Sequence, residues 1–218
     1  MKFDAVLFDC DGVLVDSEPI TNGVLRDMLE EEGWSLSAEE CLRIFIGKAV
    51  KDEAARISRH TGKPVTEGWL AGFRERRNQQ LEAHLTAIPH IHDAVKAVHQ
   101  ATDGRIACAS GADRGKVELQ LRKVDLHPYF DGRIFSGYEM PRSKPAPDVY
   151  LAAAAALSVD PRACAVIEDT VTGITAGVAA GATVLAYAPF EQEQVLRDAG
   201  ASHVFTSMRD LADLLRTL

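Results

Sequence analysis

Cysteine is scarce and scattered in this chain of 218 residues, with Cys10, Cys41, Cys108 and Cys164 far apart along it. Three of the four sit in or beside apolar runs where small buried thiols are common, so neither a disulfide framework nor a zinc site is expected. No apolar run is long enough to cross a bilayer as a helix, so a membrane role is not expected. An excess of cations is missing too: 24 Lys and Arg face 32 Asp and Glu, for a formal charge of -8. That balance argues against general nucleic-acid binding, while a few local cations could still hold an anionic small molecule. The opening Met1-Lys2-Phe3-Asp4 runs straight into a strand, leaving no room for a signal peptide, and a cytoplasmic location is expected. There is no internal repeat, and the short alanine run Ala152 to Ala156 is the one biased segment.

What is present is an ordinary globular composition, 46% hydrophobic and 26% charged, in a chain long enough for a full core. From about residue 84 onward, apolar runs alternate with helical patterns, the signature of a parallel sheet wrapped by helices. Strands are expected at Ala5 to Phe8, Arg105 to Ala109, Arg133 to Phe135, Ala163 to Ile167, Thr183 to Ala186 and His203 to Phe205. Helices are expected at Ile91 to Gln100, Lys116 to Lys123, Pro147 to Leu157, Gly173 to Ala180, Glu191 to Ala199 and Leu211 to Leu215. Residues 17 to 83 differ. They show amphipathic helical stretches (Ile20 to Glu32, Ala38 to Phe45, Val50 to His60, Glu67 to Ala83) and no strand. The expected fold is therefore α/β, a Rossmann-like parallel sheet core formed by 1-16 and 84-218. A helical cap domain, 17-83, is inserted after the first strand, with linkers near Val15 to Ser17 and Leu85 to Pro89.

The most informative stretch is Val6-Leu7-Phe8-Asp9-Cys10-Asp11-Gly12-Val13-Leu14-Val15-Asp16. An apolar strand ends in two carboxylates two residues apart, and side chains alternate along an extended chain, so Asp9 and Asp11 can serve one site while Cys10 points elsewhere. Two like charges that close call for a bound cation, a raised pKa on one of them, or solvent around both. Two further strands end in polar residues: Ser110 after Ile106 to Ala109, and Glu168 with Asp169 after Ala165 to Ile167. Ligands of open parallel sheets bind outside the carboxyl ends of the strands, so these sets should meet in one crevice. Lys144, in Ser143-Lys144-Pro145-Ala146-Pro147-Asp148, stands before a helix whose first turn accepts proline.

This ordered set resembles the haloacid dehalogenase superfamily, in its capped phosphatase and phosphomutase branch. Asp9 to Asp16 look like the first motif, Ala109-Ser110-Gly111 the second, Lys144-Pro145 the third, and Ile167-Glu168-Asp169 followed by Gly173 the fourth. The resemblance covers the whole chain. It implies phosphoryl transfer from a small phosphorylated metabolite with Mg2+, through an aspartyl-phosphate on Asp9. Asp11 would act as general acid and then base, with its pKa tuned upward relative to Asp9. Magnesium would be held by Asp9, the main-chain carbonyl of Asp11, Asp169, and Glu168 through a water. Lys144, Ser110, Gly111 and the amides near Cys10 and Ala112 would bind the phosphoryl oxygens. The segment Phe135 to Pro145 is similar to bacterial 6-phosphogluconate phosphatase-like members, which points to a sugar or sugar-acid phosphate. A monomer or weak homodimer is expected, with no nucleic-acid or membrane partner.

A β-phosphoglucomutase-like reading uses the same core, but those mutases carry a histidine where this chain has Thr21. A phosphoglycolate-type phosphatase stays open. A phospho-aspartate receiver or silent binding protein would need neither the helical insertion nor an acid two residues after the phosphorylated aspartate. Outside the motifs, Lys48 and Lys51 are equally readable as substrate contacts or as a solvated basic loop, and Arg142 as an anion contact or a surface charge. Ser110 could instead cap the helix after it. Asp16 reads as a turn or hinge residue, His90 and His92 as linker or helix-start residues, and Arg74, Arg76 and Arg77 as a charged helix face.

Overall fold

Six strands, each flanked by helices, form one parallel sheet in a computed structural model that describes residues 2–189 and 193–218. Strand β1 (Ala5–Phe8) is followed by helices α1 (Glu18–Glu31), α2 (Ala38–Phe45), α3 (Ala54–Thr61) and α4 (Glu67–His84). Then come α5 (Ile91–Ala101), β2 (Ile106–Ser110), α6 (Arg114–Lys123), α7 (His127–Phe130), β3 (Ile134–Ser136) and α8 (Asp148–Ala156). The chain finishes with β4 (Cys164–Glu168), α9 (Val171–Ala179), β5 (Thr183–Tyr187), α10 (Glu193–Asp198), β6 (His203–Phe205) and α11 (Leu211–Thr217). The first residues of the helix expected from Glu191 lie outside the described residues. Among the described residues no helix is long and apolar enough to cross a membrane.

The strand order is β3-β2-β1-β4-β5-β6. Neighbours are in parallel register, with Leu7 beside Ala107 on one side and Val166 on the other. The order reverses direction at β1, which places a crevice at the carboxyl ends of β1, β2 and β4. Every residue of β1, β2 and β4 is buried, as a sheet covered on both faces demands. One face packs Ala5, Leu7, Ala107, Ala109 and Val166 against Val149, Ala153 and Ala154 of α8 and Ile174 of α9. The small residues of α8 let its backbone lie close to the sheet. Phe8 points to the opposite face, where its ring meets that of Phe130 edge-on at 5.9 Å.

The chain divides into two compact units, Met1–Val15 with Ala87–Leu218, and Asp16–Thr86. The two connections run side by side: Val15 and Ala87 form an antiparallel bridge, and Asp16 N donates to Thr86 O at 3.0 Å. Within the helical unit, Val24, Leu25, Met28 and Leu29 of α1 share a core with Cys41, Phe45, Ile57 and Phe73. Ser37 starts α2 with a capping box: its hydroxyl accepts from Glu40 N at 3.2 Å and its own N–H donates to Glu40 Oε2 at 2.9 Å. The single helix expected over 50–60 is a 3-10 turn, Val50–Glu53, leading into α3. Arg77 departs from the expected charged face. It is buried, with its guanidinium 5.8 Å from the Phe73 ring centre, while Arg76 stays at the surface with Glu31.

Candidate active site

Asp9 follows the last residue of β1 and Glu168 is the last residue of β4, and the register that sets Phe8 beside Ile167 brings the two carboxylates together. Lys144 joins them: its Nζ donates to Asp9 Oδ1 at 2.8 Å and to Glu168 Oε1 at 2.7 Å. The ammonium also lies 4.7 Å from the centre of the Tyr150 ring, whose hydroxyl donates to the same Glu168 oxygen at 2.9 Å. The other oxygen, Oε2, accepts from Asp169 N at 2.9 Å and from Thr170 N and Thr170 Oγ1, each at 3.1 Å. Glu168 is fully buried, and this set of donors is what makes a buried carboxylate tolerable. Thr170 serves twice, since its hydroxyl also caps α9 by accepting from Gly173 N at 3.1 Å.

The charges follow from these contacts. Burial pushes the Asp9 carboxyl up to about 7, with the Lys144 ammonium pulling against it and the Glu168 and Asp11 carboxylates adding to it. Burial works against the Lys144 ammonium as well, but the Asp9 and Glu168 carboxylates override it and hold the amine well above the ordinary lysine range. At Glu168 burial is again opposed, here by the Lys144 charge and by hydrogen bonds from Lys144, Thr170 and Tyr150, and the group is held below the usual range. Lys144 and Glu168 thus form a buried charged pair beside Asp9.

Asp9, Glu168 and Asp169 each offer a carboxylate oxygen, and these atoms lie within 4.8 Å of one another. Hard oxygen donors at that spacing suit a divalent cation such as Mg2+. The turn after β1 is shaped for the third of them. Gly12 has φ +77, and a Cβ there would stand 1.9 Å from Asp169 Oδ2. Glycine at that position admits the Asp169 carboxylate beside the β1 turn.

Asp11 lies in the same turn, where Gly12 N donates to Val15 O at 2.9 Å. Its Oδ1 accepts from Lys116 Nζ at 2.7 Å and from Gln120 Nε2 at 2.8 Å, both on α6. The Cys10 thiol meets Gln120 Oε1 at 3.4 Å, so Cys10 and Asp11 share one amide; β1 ends at Phe8, and the strand alternation expected to turn Cys10 elsewhere does not run through residues 9–11. Ser110 ends β2, and its hydroxyl accepts from Ala112 N at 3.1 Å. That bond occupies the Ala112 amide expected from sequence to serve a phosphoryl oxygen. The cap of α6 is Asp113, which accepts from Lys116 N at 2.9 Å.

Arg142 is not drawn into the cluster: it is 70% exposed and pairs with Asp148 at 2.8 Å. Lys48 and Lys51 belong to the helical unit, where Lys48 Nζ donates to Ile44 O at 2.8 Å and lies 3.5 Å from Glu53. His92 Nε2 contacts Val124 O at 2.7 Å. Sequence reasoning missed Lys116, Gln120 and Tyr150. A signal was there for two of them: Lys116 and Gln120 are four apart and share the buried face of α6 with Val117 and Leu121, where apolar residues are the rule.

A family model described as haloacid dehalogenase-like hydrolase matches residues 3–181. The chain is 29% identical over 184 residues to 6-phosphogluconate phosphatase of Escherichia coli K12, covering 84% of this chain and 81% of that protein. It is 32% identical over 182 residues to hexitol phosphatase B of the same organism, covering 81% and 79%. Some curated relatives are longer, and the chain spans 19% and 54% of two of them. Among solved structures, an HAD family hydrolase of Deinococcus radiodurans R1 with bound phosphate and sodium is 34% identical, with a TM-score of 0.79, over 99% of this chain and 96% of that one. The strand order, the acids and lysine gathered at its crevice, and these likenesses agree: the chain belongs to the haloacid dehalogenase-like hydrolase family, as a phosphoric monoester hydrolase.

Proposed function

We propose that the protein is a magnesium-dependent phosphatase of small phosphorylated sugars or sugar acids, working through a phosphorylated Asp9. The observation that carries this reading is the bridge of Lys144 between Asp9 and Glu168. A carboxylate nucleophile must approach an anionic ester, and at an effective dielectric of about 20 two unit charges about 4 Å apart repel by roughly 4 kcal/mol. Lys144, held in place by Glu168 and Tyr150, offsets that repulsion at the attacking oxygen's own carboxylate. A divalent ion held by Asp9, Asp169 and the Asp11 main-chain carbonyl, with Glu168 behind them, would supply Lewis-acid polarisation of the phosphoryl group.

In this reading Asp9 attacks phosphorus and the ester oxygen leaves with a proton from Asp11. Asp11 then takes a proton from the water that hydrolyses the acyl phosphate, which regenerates Asp9. Ser110 and the Gly111 amide bind the phosphoryl oxygens. The helical unit Asp16–Thr86 acts as the cap that selects the substrate, and Lys48 and Lys51 are its candidate contacts. The sugar class rests on the named relatives, which hydrolyse 6-phosphogluconate or hexitol phosphates according to their names.

The test is phosphate release from 6-phosphogluconate, sorbitol 6-phosphate, phosphoglycolate, β-glucose 1-phosphate and p-nitrophenyl phosphate, with magnesium or with EDTA. Wild type should turn over at least one sugar phosphate with magnesium, and Asp9→Asn none. Folded wild type inert on the whole panel, or Asp9→Asn as active as wild type, rejects the proposal.

A further inference from the structure

We infer that Lys116 and Gln120 are positioning residues, a two-pronged clamp on α6 that fixes the Asp11 carboxylate in one orientation for proton transfer to the leaving group. The inference rests on the phosphatase reading and deepens it. Both prongs end on one oxygen, Asp11 Oδ1, at 2.7 and 2.8 Å. A carboxylate in a turn has a broad choice of terminal torsion, and a single hydrogen bond leaves much of that freedom. Two donors from side chains one helical turn apart remove it. The clamp is itself rigid: Lys116 is 5% exposed and Gln120 is fully buried. The amide of Gln120 has a defined direction, because its Oε1 faces the Cys10 thiol while its Nε2 faces Asp11. The Asp113 cap fixes the first turn of α6, on which Lys116 rides.

The cost of placing an ammonium and an uncharged amide on the buried face of a helix is otherwise unexplained by packing, since apolar residues would fill those positions more stably. A proton donor, by contrast, must be held within hydrogen-bond reach of the atom it serves, and a displacement of about 1 Å is enough to slow the reaction about a hundredfold. A fixed Asp11 Oδ1 makes the rest of the carboxyl group a directed acid and base.

The experiment compares kcat/KM, which covers the steps through departure of the leaving group, for two kinds of ester. One is sorbitol 6-phosphate or, where wild type turns it over faster, 6-phosphogluconate, whose alkoxide must be protonated as it leaves. The other is p-nitrophenyl phosphate, whose phenolate leaves without an acid. Lys116→Met and Gln120→Met should each lower kcat/KM for the alkyl ester about tenfold or more beyond any loss on p-nitrophenyl phosphate. Lys116→Gln, which keeps a donor, should recover part of the difference. Equal losses on both esters, or no loss, overturn the clamp, because a residue that only supports the fold or the phosphate does not distinguish leaving groups. If Lys116→Met does not fold, Lys116→Gln and Gln120→Met carry the same comparison. Wild type inactive on every ester rejects the phosphatase reading itself, a result separate from these ratios.

Discussion

Replacing Gly173 by alanine tests whether Glu168 is as immovable as its surroundings imply. In an ordinary helix interior this change is stabilising by about 0.5–1 kcal/mol, because alanine loses less conformational freedom on folding. At Gly173 a Cβ would lie 1.6 Å from Glu168 Oε1 and 1.9 Å from Cδ, far inside van der Waals contact. The carboxylate must therefore leave its place, and with it go bonds from Lys144, Tyr150, Asp169 N and Thr170. Disrupting a buried, hydrogen-bonded ion pair costs about 3–5 kcal/mol, which outweighs the propensity gain. A net loss of at least about 2 kcal/mol is expected in urea titration of Gly173→Ala, with phosphatase turnover reduced through displaced Lys144. The control is Gly72→Ala in α4, where a Cβ meets nothing within 4 Å and the same substitution should stabilise slightly. If Gly173→Ala matches Gly72→Ala in stability, the account of Glu168 as the pinned foundation of the site is wrong.

Magnesium added at about a hundredfold its dissociation constant should stabilise wild type by about 2.7 kcal/mol, seen as a shift in the thermal transition, and Asp169→Asn should lose most of that shift. Asp11→Asn should keep the magnesium shift yet hydrolyse sugar phosphates at least about a hundredfold more slowly; unchanged turnover would remove Asp11 from the acid/base role. Tyr150→Phe deletes one donor to Glu168 Oε1 and should cost about 1.5–3 kcal/mol in a denaturant titration. Ser37→Ala removes the hydroxyl half of the α2 capping box and should lower the stability of the helical unit by about 0.5–2 kcal/mol, with no effect expected on the acid cluster.

The strands and the acids at their ends were legible because each depends on local pattern. The apolar run Ala5–Phe8 stops at Asp9, which marks the strand end and its acid without any tertiary information. Register then assembles what the pattern places at the strand ends, as when Phe8 beside Ile167 sets Asp9 near Glu168. Lys116, Gln120 and Tyr150 were hidden for the opposite reason. Each belongs to a helix whose boundaries are readable, yet its partner is distant in sequence: Lys116 lies 105 positions from Asp11, and Tyr150 18 from Glu168. A buried lysine cannot be told from a surface lysine by its neighbours in the chain. Arg77 is a like case, since three nearby arginines look like one solvated face in sequence while the guanidinium of one lies 5.8 Å from the Phe73 ring centre.

The paired connections at Val15–Asp16 and Thr86–Ala87 carry a consequence for how such a chain can diversify. An excursion that leaves and returns at adjacent points closes its loop whatever its length, and each doubling of that length adds only about 0.6 kcal/mol of entropy. A shorter, longer or wholly different excursion can be grafted at the same doorway while β1 and its acids stay in register. The excursion can thus change its length or content while the strand that carries the acids keeps its place in the sheet.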